Sequence, residues 1–96
     1  MSSPNIETFL FDEENEEKIT NHGLSINRVL QILDNTHIIM PNRKRRRAKY
    51  LIIGRDNGGT SISVPIEPTH KSGIWRPITA WLSKKGEETI LDKNER

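Results

Sequence analysis

His22, Lys18, Arg55, Arg76 and Thr79 are the side chains of this 96-residue sequence whose types suit proton transfer and the holding of a phosphate. Cutting a ribose phosphodiester without a metal requires a group to take the hydroxyl proton, positive charge against the developing phosphorane, and a proton for the leaving oxygen. His22 could act as the base or the acid. Lys18 precedes it at the i, i+4 spacing and could lower its pKa or hold a phosphate. Arg47, Arg55 and Arg76 offer bidentate forks for the transition state, and Thr79 a neutral hydrogen bond. Each has a plainer alternative. His22 stands before Gly23 at a helix end, where it could bond a terminal carbonyl. Arg55 borders a turn as a solvated hairpin residue would, and Arg76 could be held by an acid such as Glu67 or by stacking on a tryptophan.

The segment Arg43-Lys44-Arg45-Arg46-Arg47, with Lys49 after Ala48, places six bases in seven positions. Such a cluster supplies sequence-independent phosphate contacts, so these residues are the candidate nucleic-acid contacts, with a solvated loop or a protein-binding patch as the alternatives. Trp75 and Trp81 could stack on bases, although a domain with five aromatics needs at least one of them in its core. His37 and His70 have no partner at ligand spacing and there is no cysteine, so no metal site and no small-molecule cofactor are expected.

These side chains must be positioned by a short series of elements. Ile6 to Phe11 reads as a brief strand. Asp12 is a helix cap with Glu13, Glu14 and Glu16 in the favourable first turn, and the helix ends near Asn21 with Gly23 just beyond. Ser25 caps a second helix carrying Ile26, Val29, Leu30 and Leu33 at helical spacing through Asp34. Thr36 to Met40 reads as a strand, and Lys49–Arg55 and Thr60–Ile66 as a hairpin around Asp56-Asn57-Gly58-Gly59. Ile62, Val64 and Ile66 share one face of that hairpin. Pro65 argues for an edge, a bulge or an early end. Ile74 to Trp81 reads as a further strand despite Pro77, and Ser83 to Leu91 as a weak terminal helix.

Three stretches carry a family resemblance. Asp12-Glu13-Glu14-Asn15, Lys18-Ile19 and His22-Gly23-Leu24-Ser25 resemble the BrnT pattern of an acid, a lysine and a His-Gly-aliphatic-Ser/Thr step. Tyr50-Leu51-Ile52-Ile53-Gly54-Arg55 is similar to that family's strand before the hairpin, and Trp75-Arg76-Pro77-Ile78-Thr79-Ala80 to its strand with Arg and a Ser/Thr-Ala pair. The resemblance, to the BrnT branch of the RelE-like toxins, spans nearly the whole chain. It implies an α+β, RelE/BrnT-like fold with two N-terminal helices packed on a three- to four-stranded antiparallel sheet and a short C-terminal helix. It also implies a bacterial or phage origin, a ribonuclease toxin acting on RNA, and a cognate antitoxin protein. Phe11 stands where the family usually has Trp, Pro77 interrupts the third motif, and the arginines common after the last strand are lacking. A non-catalytic nucleic-acid-binding or regulatory protein, or a protein-interaction domain, therefore stays open.

The length supports one domain over 1–96, with 1–5 and 92–96 expected to be flexible. Hydrophobic residues make up 32% and charged residues 29%, so the core must be thin. The net charge of +2 hides segregation: residues 1–17 hold six acids and no base, 18–55 hold nine bases against Asp34, and the rest six of each. A concentrated positive region attracts polyanions. The start lacks a basic n-region and no apolar run approaches a membrane span, so a cytoplasmic protein without a membrane partner is expected.

Overall fold

Isoleucine and valine alternate with two serines and a proline along 61–66, and this stretch becomes the centre of the molecule. The computed structural model describes residues 4–42 and 47–95. In chain order the elements are β1 (Thr8–Phe9), α1 (Glu13–Asn21), α2 (Ile26–Gln31), β2 (His37–Pro41), β3 (Tyr50–Arg55), β4 (Ser61–Pro68), β5 (Ile74–Pro77), β6 (Trp81–Leu82) and α3 (Lys85–Asn94). The strands form one sheet in the order β1-β5-β4-β3-β2, with β6 also paired to β4.

The two faces of β4 have different neighbours because successive strand residues point to opposite sides. Ile62, Val64 and Ile66 join Phe9, Ile19, Leu24, Val29, Ile32 and Ile52 in the main core, beneath α1 and α2. Ser61 and Ser63 face the other way. The Ser61 and Ser63 hydroxyls both bond the Ser83 hydroxyl, at 2.7 and 2.8 Å, and Ser63 Oγ also donates to Glu87 of α3 at 2.9 Å. Helices thus cover both faces, and Leu91 of α3 is fully buried. Each such aliphatic side chain contributes about 1.5–3 kcal/mol on burial.

The expectation of two N-terminal helices on a three- to four-stranded antiparallel RelE/BrnT-like sheet is overturned. Among the described residues the sheet has six strands, β1 enters it in parallel register with β5 (Thr8 opposite Ile74, Phe9 opposite Trp75), and helices lie towards both ends of the chain. The reason lies in two prolines. Residues 74–81, expected as one strand, split after Pro77 into β5, opposite Ile66–Pro68, and β6, opposite Ile62–Ser63. Pro65 sits at the junction. Its carbonyl accepts from Ile78 N at 2.9 Å, so its missing N–H falls where the chain leaves the ladder and no strand bond is lost. β4 is therefore central and runs on to Pro68, neither an edge nor cut short.

Other expectations are met locally. α1 is capped by a reciprocal pair, Asn15 N to Asp12 Oδ1 at 2.9 Å and Asp12 N to Asn15 Oδ1 at 2.8 Å. It closes with Gly23 at φ 78°, where Leu24 N reaches Ile19 O and Gly23 N reaches Thr20 O. Gly54 marks a close approach of a different kind: a Cβ there would stand 2.8 Å from the His37 Cβ and 2.9 Å from that of Ile32. The second helix stops at Gln31, short of Asp34, and α3 runs past Leu91 to Asn94.

Candidate functional site

The capping geometry of α1 decides where its last turn points. Because Gly23 turns the chain away, Lys18, Asn21 and His22 are left exposed on the rim of a cleft of about 560 Å³. The opposite wall is the β5–β6 connection and the start of α3: Ile78, Thr79, Trp81, Leu82 and Lys84. Among the described residues no carboxylate lines it. Lys18, Lys84 and the His22 imidazole share the cleft with the apolar Ile78, Trp81 and Leu82, a composition suited to an anion attached to a less polar group.

Two details add to that character. Thr79 is 6% exposed, and its Oγ1 is buried with no hydrogen-bond partner among the described residues. A buried hydroxyl without a partner costs about 1–3 kcal/mol, and this one belongs to a residue of the cleft wall. Trp81, by contrast, is anchored: its indole N–H donates to Glu87 Oε1 at 3.0 Å, an oxygen that also accepts from Ser63 Oγ and from Lys84 N at 2.8 Å. The His22 imidazole has no hydrogen bond among the described residues, and its backbone N–H closes the helix to Ile19 O at 3.1 Å. The carbonyl-bonding alternative for its side chain is therefore not what is found.

The structure brings His22, Lys18 and Thr79 into one cleft and takes the arginines elsewhere. Arg76 lies at the opposite end of α1, and nine residues at 1.5 Å rise put that end roughly 13 Å away. Its guanidinium donates to Asp12 Oδ2 at 2.6 Å, Asp12 Oδ1 at 3.1 Å, Glu67 Oε2 at 2.8 Å and Glu14 Oε1 at 3.0 Å. The Arg76 side chain is 14% exposed and ties the start of α1 to β4 and β5. Its own pKa is driven up, first by the bond to Asp12, while Arg76 holds the Asp12 and Glu14 carboxyls below the usual range. Lys18 and Arg47 also lower Glu14. The Glu67 alternative for Arg76 is thus part of the observed network, and all three guanidinium nitrogens of Arg76 bond carboxylates.

Arg47 joins the same carboxylates, 3.3 Å from Glu67 and 3.6 Å from Glu14. Lys49 is exposed, and its backbone N–H donates to Ile66 O at 2.9 Å. Arg43, Lys44, Arg45 and Arg46 lie outside the described residues. Arg55 is remote from the cleft in its role: it donates to both Glu95 oxygens at 2.9 Å, to Gly59 O at 3.0 Å and to Asp92, clasping the end of α3 to the hairpin. The bond to Glu95 raises the Arg55 pKa and lowers that of Glu95. Trp75 is structural, with its indole N–H on Asn5 O at 2.9 Å and its ring edge-on to Tyr50. Sequence reading missed Asn21 and Lys84. Lys84-Lys85 before a helical stretch was the available signal, but nothing local aims Lys84 at the end of α1.

Among the described residues no group of three or more His, Cys, Asp or Glu is placed to hold a metal ion, and no helix is long and apolar enough to cross a membrane. No protein-family model matches the chain, and no curated protein matches it.

Proposed function

We propose that this chain is a metal-independent endoribonuclease of the kind its resemblance to BrnT toxins implies, acting in the cytoplasm on RNA and held in check by a partner antitoxin. The observation that carries the reading is the convergence of His22, Lys18 and Thr79, three residues of the BrnT-like motifs, in one cleft free of carboxylates. A phosphodiester entering there meets Lys18 and Lys84, whose charges offset those on its oxygens. His22 takes the proton from the ribose 2′-hydroxyl, the 2′ oxygen attacks the phosphorus, the bond to the 5′ oxygen breaks, and that oxygen takes a proton from water. With Arg55 and Arg76 both occupied by carboxylates, the reaction lacks a guanidinium clamp and turns over slowly.

That same occupation favours a second reading, a protein that holds RNA in the cleft without cutting it. Labelled single-stranded RNA incubated with the protein in EDTA separates the two. The nuclease reading expects fragments that His22→Ala abolishes while the RNA still shifts in a native gel. Intact, shifted RNA with the wild type leaves the binder. RNA neither cut nor shifted removes both.

A further inference from the structure

The orphaned hydroxyl of Thr79 has a natural occupant if the cleft holds a nucleic-acid strand, and the inference rests on that reading. Lys18, Lys84 and His22 stand at the exposed rim and meet a phosphate with charge. Thr79 lies deeper, with Ile78 and Ala80 buried on either side of it in sequence. An anion pushed into that niche would lose its hydration for a single neutral donor, an unfavourable exchange. A neutral group that can both donate and accept suits it better, since a hydroxyl facing a hydroxyl satisfies both. In RNA one such group lies beside every phosphate, the ribose 2′-hydroxyl, and it is the group DNA lacks. A small rotation of the threonine side chain on binding is ordinary for such sites.

We infer that Thr79 is the ribose-reading residue of the cleft: its Oγ1 pairs with the 2′-hydroxyl of the nucleotide whose phosphate Lys18 and Lys84 hold, so the protein selects RNA over DNA. A site built to bond a hydroxyl discriminates against the analogue without it, because its own buried group is left unpaired. One neutral hydrogen bond corresponds to a preference of about three- to tenfold.

The test uses the full chain carrying His22→Ala, so that RNA stays intact, with and without Thr79→Val. Fluorescence anisotropy measures affinity for a short labelled RNA, the DNA of the same sequence and its 2′-O-methyl form. The expected result is an RNA-over-DNA preference of about three- to tenfold that falls to near one with Thr79→Val. The 2′-O-methyl strand should bind the threonine protein more weakly than RNA does. Valine has the shape of threonine without the unpaired hydroxyl, so this variant should melt no lower than its parent, which a thermal scan verifies. Equal binding of RNA and DNA by the threonine protein, or a preference that survives Thr79→Val, overturns the inference while RNA binding stands. Binding of neither strand overturns it together with the functional reading beneath it.

Discussion

Replacing Arg76 by methionine keeps much of the side chain's apolar length and removes four hydrogen bonds to carboxylates of Asp12, Glu14 and Glu67. Bonds to charged groups are worth about 1.5–3 kcal/mol each when well shielded, but they do not simply add. Glu14 and Asp12 have side chains 55% and 40% exposed, so solvent screening leaves their pairs with a small share. Glu67 at 20% keeps more. The variant also leaves Asp12 without an ion-pair partner among the described residues, and Glu67 and Glu14 with the partly exposed Arg47. A net loss of about 2–4 kcal/mol follows, a large fraction of the roughly 5–15 kcal/mol that holds a domain together. For a chain of this size that is a fall in Tm of roughly 10–25 °C. Thermal unfolding by circular dichroism, with urea midpoints at constant slope, measures it. A fall of less than about 4 °C, accompanied by complete loss of RNA cleavage in a folded protein, would refute the structural role and restore Arg76 to the chemistry.

Acid should act through the same network. Arg76 depresses Asp12 and Glu14, Arg55 depresses Glu95, and for Asp56 burial is outweighed by Arg28 at 2.9 Å and by the amides of Thr60 and Gly58. A depressed folded pKa contributes stability above the unfolded value, so this contribution is complete only above about pH 5 and is lost progressively as the pH falls through the folded values. Urea midpoints should fall steeply below that point in the wild type and less so in Arg76→Met. Asn15→Ala removes a fully buried amide that bonds Leu10 O at 3.0 Å and Pro77 O at 2.9 Å as well as the helix cap, and should cost about 2–3 kcal/mol by urea unfolding. Arg55→Ala should raise amide exchange in the last turn of α3, read by mass spectrometry, with RNA affinity unaltered.

The parts legible in the sequence were those decided by neighbours in the chain. Asp12 caps the start of α1, Gly23 closes its end, and Asp56 to Gly59 bend a hairpin, so each could be read where it stood, whereas the reciprocal bond from Asn15 was not. The sheet beyond that hairpin was decided by distant pairing. The brief strand read at Ile6 to Phe11 is found at Thr8–Phe9, but its parallel docking on β5 joins positions more than sixty residues apart and leaves no local trace. Pro65 and Pro77 were visible as obstacles to a ladder, but that they face one gap depends on the register of β4. The site divided along the same line. His22 and Lys18 share a helix face because they are four apart, whereas Arg76 met not only the nearby Glu67 but also Asp12 across 64 residues, a partner that charge type alone did not single out.

The cleft's claim to be a phosphate-holding site is tested most directly by the salt dependence of RNA binding. Anisotropy titrations from about 50 to 200 mM salt give a slope to which each phosphate contact adds about −0.7 on single strands. The Lys18→Ala/Lys84→Ala double variant should bind more weakly and show a slope shallower by about 1.4, whereas Arg55→Ala should match the wild type in both. An unchanged affinity and slope in the double variant, with a folded protein by circular dichroism, would contradict the account.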